Sequence, residues 1–484
     1  MIRFLLTLAI AAAAMATAAD PPKSSGYTLK RIDTPKGVAI EAGGMDWMPD
    51  GRLAVCTRRG EVWTLDPKGN WKLFATGMQE ALGLKRGDAD NDLYVMQRPE
   101  LTHLVDTKHT GVADRYETAN MNFGFSGNYH EFAYGPATDK DGYVYYSLNL
   151  AHNPDAFGGP FMGAHPETPY RGWVMRSATP GGKDGKFEPY AYGLRSPNGL
   201  ATSPQGDVFF ADNQGEWVGA CWLGHVQEGK FYGNPSSMIF KDDWNGRDPK
   251  SVSLDELSKM KTPPAVVFPY GRMGQSLSQP VWDTTGGKFG PYAGQGFIGD
   301  VQIPIVMRFT LDKVDNEYQG ACYPFERSPD LQGVNRLIFD KDGSLIAGRT
   351  DRGWVGGASG LTRITYDGKV PFDLLKMTLT ENGFDLAFTR PVDKTLAADP
   401  KTYALLHWHL VYHKDYGSPE ADKTAVKLEA GDVKVSDDGL HVTLSLPELL
   451  TGKVYDLTLN DLKAADGSDL KNKNAYYTLN HTVK

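Results

Sequence analysis

A strand–turn–strand unit recurs six times along this chain, and the repetition limits the fold more than any other feature of the sequence. It reads GMDWMPDGRLAVCT from Gly44, ALGLKRGDADNDLYVMQ from Ala81, EFAYGPATDKDGYVYYSLN from Glu131, NGLATSPQGDVFFADN from Asn198, QPVWDTTGGKFGPYAGQGFIGD from Gln279 and NRLIFDKDGSLIAGRT from Asn335. Each copy joins two apolar runs through a Pro/Asp/Gly turn, and alternation such as Arg52-Leu53-Ala54-Val55 marks strand rather than helix. One such unit cannot bury both faces of its small sheet, whereas a closed ring of them buries each against its neighbours. The six copies predict an all-β fold, a six-bladed β-propeller over residues 27–369. Composition agrees: 54 Gly, 30 Pro and 11% aromatics suit many short strands joined by tight turns. Uneven spacing predicts long inserted loops from Asn153 to Arg171 and from Gly219 to Pro264, where function often resides.

Beyond Val370 the sequence becomes poorer in Gly and Trp and richer in Thr, Val, Leu, Lys and Asp. Strand-like runs from Asp385, His407, His441 and Val454 predict an Ig-like or fibronectin-like β-sandwich over 370–484. Extra propeller strands are the alternative. At the other end, Arg3, an apolar run from Phe4 to Met15 and the small residues Ala16-Thr17-Ala18 read as a signal peptide over 1–19. An exported protein, periplasmic or extracellular, is therefore expected. No later stretch approaches the roughly 18 apolar residues of a membrane-spanning helix. Cys56, Cys221 and Cys322 are too few for a disulfide framework, and at most one pair can bridge. With 51 Lys+Arg against 59 Asp+Glu, the formal charge of −8 argues against nucleic acid as a partner.

The residues able to carry chemistry cluster beside the repeats. His130, just ahead of the third unit, stands where a channel-facing base is expected, since imidazole titrates near neutrality; a buried, hydrogen-bonded histidine is the alternative. Arg195 and Asn198 frame the turn Arg-Ser-Pro-Asn-Gly, offering a guanidinium fork and an amide, or else an Asx-turn. The run Asp212-Asn213-Gln214-Gly215-Glu216 presents hard oxygens that suit Ca²⁺, or is a plain solvated loop. Arg349 and Arg352, with Trp354, suit an anionic ligand or surface ion pairs, and Arg58 and Arg59 repeat that question in the first unit. Asp106 to Glu117 reads as a loop, because Lys108 and His109 stand where oxygen donors would be needed.

On these motifs the chain, from about Ile40 to Gly368, resembles the soluble glucose/sorbosone dehydrogenase family, six-bladed quinoproteins that bind pyrroloquinoline quinone and Ca²⁺. It is also similar to the secreted, dehydrogenase-like propellers of Planctomycetes and Verrucomicrobia. The resemblance implies that His130 in YHEFAYGP is the base. It further implies that Arg195, Asn198, Gln214, Arg349 and Arg352 bind the quinone, and that Asp212, Gly215 and Glu216 hold the metal. Two departures stand out: Ser196 replaces the family's Asn after Arg195, and Glu216 replaces a Pro after Gln214-Gly215. The implied function is an exported sugar or polyol oxidoreductase that passes electrons to a separate cytochrome or other acceptor. The Asn-Gly-Leu-Ala turn at Asn198 also resembles the regucalcin/gluconolactonase propellers. That likeness implies a metal-dependent sugar lactonase, hydrolase or lyase with Asn198, Asp212 and Glu41 as ligands. A non-catalytic carbohydrate- or protein-binding propeller is the third reading.

Overall fold

The computed structural model describes residues 26–152, 162–164, 167–178, 187–352 and 358–483. The predicted signal peptide and Trp354 lie outside these residues, as does most of the inserted loop that starts at Asn153. Each of the six repeats falls on the first two strands of a separate antiparallel sheet. The sheets open with Ala42–Trp47, Gly83–Arg86, Ala133–Thr138, Pro197–Thr202, Val281–Trp282 and Val334–Phe339. Strand alternation places neighbouring side chains in different cores. Thus Tyr146 packs toward the second sheet and Tyr145 toward the fourth, and Phe209 and Phe210 likewise part company. Successive sheets share a buried apolar cluster, and Leu53 and Val55 of the first sheet close the circuit against Ile346 and Leu361 of the last. The last sheet takes its outer strand from the N-terminus: Tyr27–Ile32 pairs with Gly360–Tyr366, with Tyr27 opposite Tyr366.

The expected insertion from Gly219 to Pro264 is not a bare loop. It contributes the strand Cys221–His225 and a short helix, Leu254–Met260, capped by the Ser253 hydroxyl accepting from the Glu256 N–H. The C-terminal unit is joined to the rest by a continuous sheet. Asn474–Leu479 pairs with Glu317–Arg327, with Gly320 opposite Thr478. The strands Lys453–Leu459, Tyr403–Leu410 and Glu420–Val426 then extend the fifth sheet to eight. A second sheet, Leu374–Thr380, Gly383–Phe388, His441–Ser445 and Val433–Val435, packs on it over a core holding Phe384, Tyr455 and Tyr477. This pairing covers the outer edge of Glu317–Arg327. Buried Arg308 reinforces the junction through Asp373 at 3.2 Å and the Leu375 carbonyl at 2.9 Å. All three cysteines are free and buried. No helix among the described residues is long and apolar enough to cross a membrane.

Candidate active site

The turns that lead into and out of the inner strands converge on a cavity of about 220 Å³. Each of the six repeat-bearing sheets contributes to it. Arg58 follows the second strand of the first sheet, Glu80 precedes the second sheet and His130 precedes the third. Arg195, Ser196 and Gln214 come from the fourth, Gln275 and Gln302 flank the fifth, and Asn335, Thr350 and Arg352 belong to the sixth.

His130 is 5% exposed, and its Nδ1 lies 3.0 Å from the Leu150 carbonyl oxygen. A carbonyl only accepts, so Nδ1 carries the proton and Nε2 holds the lone pair. Burial pushes the imidazole well below its ordinary pKa, and the Arg195 and Arg352 charges push it further. The histidine is thus held neutral in a positive local field. Arg352 lies over Phe132, 4.2 Å from the ring centroid, on the same wall.

The Asp212 run is organised around backbone amides. Asp212, fully buried, accepts from the Arg195 N–H at 2.9 Å, the Ser196 N–H at 2.7 Å and the Asn213 N–H at 2.9 Å. Burial nevertheless raises its carboxyl to about 6. The fifth sheet repeats the device: Asp300 accepts from the Gln275 and Ser276 N–H groups, both at 2.7 Å, and from Gln302 and Ile303. The shared Asp-x-Gln signature, Asp212-Asn213-Gln214 and Asp300-Val301-Gln302, fixes two turns and aims Gln214 and Gln302 into the same cavity. Glu216 is committed as well, its Oε2 lying 3.2 Å from Arg195 Nε. Gly215 is small because Arg195 passes beside it: a Cβ there would lie 1.9 Å from Nε.

Asn198 reaches the cavity but serves its floor, donating to the Leu277 carbonyl at 3.0 Å and the Asn335 side chain at 3.1 Å. Beneath it lies Arg336, which sequence reasoning missed. This 1% exposed guanidinium donates to the carbonyls of Gly43 at 2.6 Å, Leu82 at 2.8 Å and Asn335 at 2.6 Å, and to Asn198 Oδ1 at 3.2 Å. It therefore ties the first, second, fourth and sixth sheets together. At the mouth, Arg58 is 3.1 Å from Glu41 and 3.8 Å from Glu80, and Arg59 is 2.8 Å from Glu41. Glu80, also bonded to Arg98, adopts φ 52°, a strained conformation for a non-glycine residue of the kind that collects at functional sites.

Arg349 does not join the others. It lines a separate depression with Arg31, Gln332 and Asp351, because the alternation of its strand directs Thr350, not Arg349, to the central cavity. The predicted calcium donors do not fit a cation: Asp212 spends both oxygens on amides, Glu216 neutralises Arg195, and the Gly215 carbonyl accepts the Gly417 N–H at 3.0 Å. The lactonase triad fails similarly, since Asn198, Asp212 and Glu41 are all engaged in bonds to protein groups. Among the described residues no group of three His, Cys, Asp or Glu is arranged to hold a metal ion. The anionic cofactor fares better. The cavity wall carries Arg58, Arg195 and Arg352, with Glu80 on the same wall and with Glu41 and Glu216 paired to the first two.

Beyond Arg336, sequence reasoning missed Glu80, Gln275, Gln302, Tyr270 and Tyr416. The Asp-x-Gln repeat was the signal that identifies Gln302.

No protein-family model and no curated protein matches the chain. Among solved structures it is similar to a protein of Thermus thermophilus described as a glucose dehydrogenase. That likeness has a TM-score of 0.51 at 16% identity and covers 70% of this chain and 100% of that one. A second glucose dehydrogenase gives a TM-score of 0.50 at 17% identity, over 71% and 100% of the two chains. With its successive antiparallel sheets, the chain has a glucose-dehydrogenase-like β-propeller fold.

Proposed function

We propose that the protein is an oxidoreductase acting on sugars or other polyols, with His130 as the base that takes the hydroxyl proton. The observation carrying this reading is the contact of His130 Nδ1 with the Leu150 carbonyl oxygen, which places the Nδ1 proton there and leaves the Nε2 lone pair of the neutral imidazole for a substrate, at a buried position in a cavity walled by arginines. Oxidation of a secondary alcohol or hemiacetal releases a hydride from carbon and a proton from oxygen. The proton passes to Nε2 as the hydride departs and the hydroxyl becomes acidic, so a base of lowered pKa is adequate. The positive field of Arg195 and Arg352 favours loss of the hydroxyl proton. The amides of Gln275 and Gln302, with the Gln214 amide oxygen, whose nitrogen is bonded to the Gly219 carbonyl, orient the remaining hydroxyls by hydrogen bonding.

A pyrroloquinoline quinone, when bound, would supply the hydride acceptor. Its carboxylates would be held by Arg58, Arg195 and Arg352, not by Arg349. No step is assigned to calcium, whose expected donors are occupied. The scaffold for this chemistry is a six-bladed ring over 27–369, closed by Tyr27–Ile32, with a β-sandwich over 370–484. Export and a separate cytochrome acceptor belong to the same reading and rest on the sequence.

The deciding experiment titrates the purified protein with pyrroloquinoline quinone, with and without Ca²⁺. Cofactor absorbance and dye reduction by a panel of aldoses and polyols are recorded. Saturable binding with turnover supports the dehydrogenase. Binding of sugar without binding of quinone or turnover favours a carbohydrate-binding propeller instead.

A further inference from the structure

We propose that Tyr416, supplied by the C-terminal unit, is a specificity-determining residue of the central cavity, stacking against a sugar ring and selecting cyclic sugars over linear polyols. The inference rests on the sugar reading above and narrows its substrate class. Tyr416 lies between the strands Tyr403–Leu410 and Glu420–Val426, far from His130 in sequence, yet both line the same cavity.

The segment carrying it is seated by backbone contacts that do not depend on the phenol. Glu216 and Tyr416 form an antiparallel bridge, the Gly417 N–H donates to the Gly215 carbonyl at 3.0 Å, and the Ser418 N–H donates to the Gly219 carbonyl at 2.9 Å. The fit is close: a Cβ on Gly417 would lie 2.9 Å from the Gln214 side chain, at a φ of +67°. Tyr412 anchors the other end, its hydroxyl donating to the Gly233 carbonyl at 2.5 Å and its ring lying 5.3 Å from that of Trp217.

The aromatic ring itself is only partly covered. The Arg195 guanidinium packs at 5.3 Å from its centroid, yet Tyr416 remains 58% exposed, and Tyr270, also on the cavity wall, remains 40% exposed. Two half-bare aromatic rings at the mouth of a cavity lined by amides and hydroxyls suit a ligand with both an apolar C–H face and a rim of hydroxyls. A pyranose has both. A linear polyol presents no flat face, and the ring contributes little to its binding.

The test is calorimetric titration of the full-length protein and its Tyr416→Ala and Tyr416→Phe variants with glucose and with sorbitol. Glucose binding should weaken roughly tenfold in Tyr416→Ala and stay within about twofold in Tyr416→Phe, while sorbitol binding is unchanged by either. Equal glucose affinity in wild type and Tyr416→Ala overturns the inference and leaves the sugar reading standing. A loss in Tyr416→Phe as large as in Tyr416→Ala assigns the effect to the hydroxyl and also overturns it. Failure of the wild type to bind either compound overturns both readings.

Discussion

Arg195 and Glu216 form an ion pair with a 3.2 Å contact and side chains less than a tenth exposed, so the guanidinium that faces the cavity carries its own counter-ion behind it. The pairing explains how an arginine can wait, largely desolvated, for an anionic ligand. It also gives Glu216, next to Gly215, a role in the wall of the cavity. Glu216→Gln removes the counter-charge and leaves Arg195 buried without it. The variant should lose about 2–3 kcal/mol of stability, and it should bind a carboxylate-bearing quinone more tightly than wild type. Denaturant melts and an absorbance titration read the two effects. Unchanged stability together with unchanged affinity would mean the pair is electrostatically idle.

His130 sets the pH response. The working form is neutral, and burial with the Arg195 and Arg352 charges holds its pKa well below 6.5. Activity should therefore stay flat from neutral pH to below 6.5 and fall only as the pH drops through the lowered value. The same shift acts on stability: the unfolded chain takes up this proton first, so this contribution is lost as pH falls below the unfolded pKa. His130→Gln should cut kcat by about 10²–10⁴-fold, the usual contribution of a general base, with a smaller change in KM. A pH–rate profile with its acidic limb at or above about pH 7 would exclude His130 as the base.

Arg336 is a structural keystone. Substitution by Met leaves the carbonyls of Gly43, Leu82 and Asn335 without their buried donor. A loss of about 3–5 kcal/mol is expected. The melting temperature should drop in the presence and absence of ligand alike. A variant as stable as wild type would show that water replaces the guanidinium without cost.

Asp212 and Asp300 should behave alike, as holders of turns and not as metal ligands. In Asp212→Asn the amide group must face one of three backbone N–H groups, at a cost of about 1–3 kcal/mol, and Asp300→Asn should lose a similar amount. The Asp212 carboxyl sits at about 6, above its ordinary 3.8. Its contribution to stability is therefore fully present below about pH 4 and fades as pH rises through 6. The gap between wild type and Asp212→Asn should be wider at about pH 4 than at about pH 7. If calcium raised the melting temperature of wild type but not of Asp212→Asn, the carboxylate would be a ligand after all.

Much of the fold was legible because it is local and repeated. Alternating apolar runs broken by Gly and Pro turns specify strands wherever they occur, so all six repeats fall on the inner strands of separate sheets. The positions of His130, Arg195, Gln214 and Arg352 were legible for the same reason: each lies in a turn just before or just after an inner strand, and the inner strands converge. What the sequence could not decide was where each charge is spent. The oxygens of Asp212 look like calcium donors until the backbone brings three N–H groups to them. Arg349 and Arg352 look like a pair until strand alternation turns one of them away. Nothing in the run His413-Lys-Asp-Tyr416 marks a cavity wall. The long-range pairing of Asn474–Leu479 with Glu317–Arg327 brings the C-terminal unit against the fifth sheet, and the bonds of Tyr416 to Ser418 with the Gly215 to Gly219 segment bring Tyr416 to the cavity. Local periodicity determined the strands, and the hydrogen bonds made between segments far apart in the chain determined which side chains could meet a ligand.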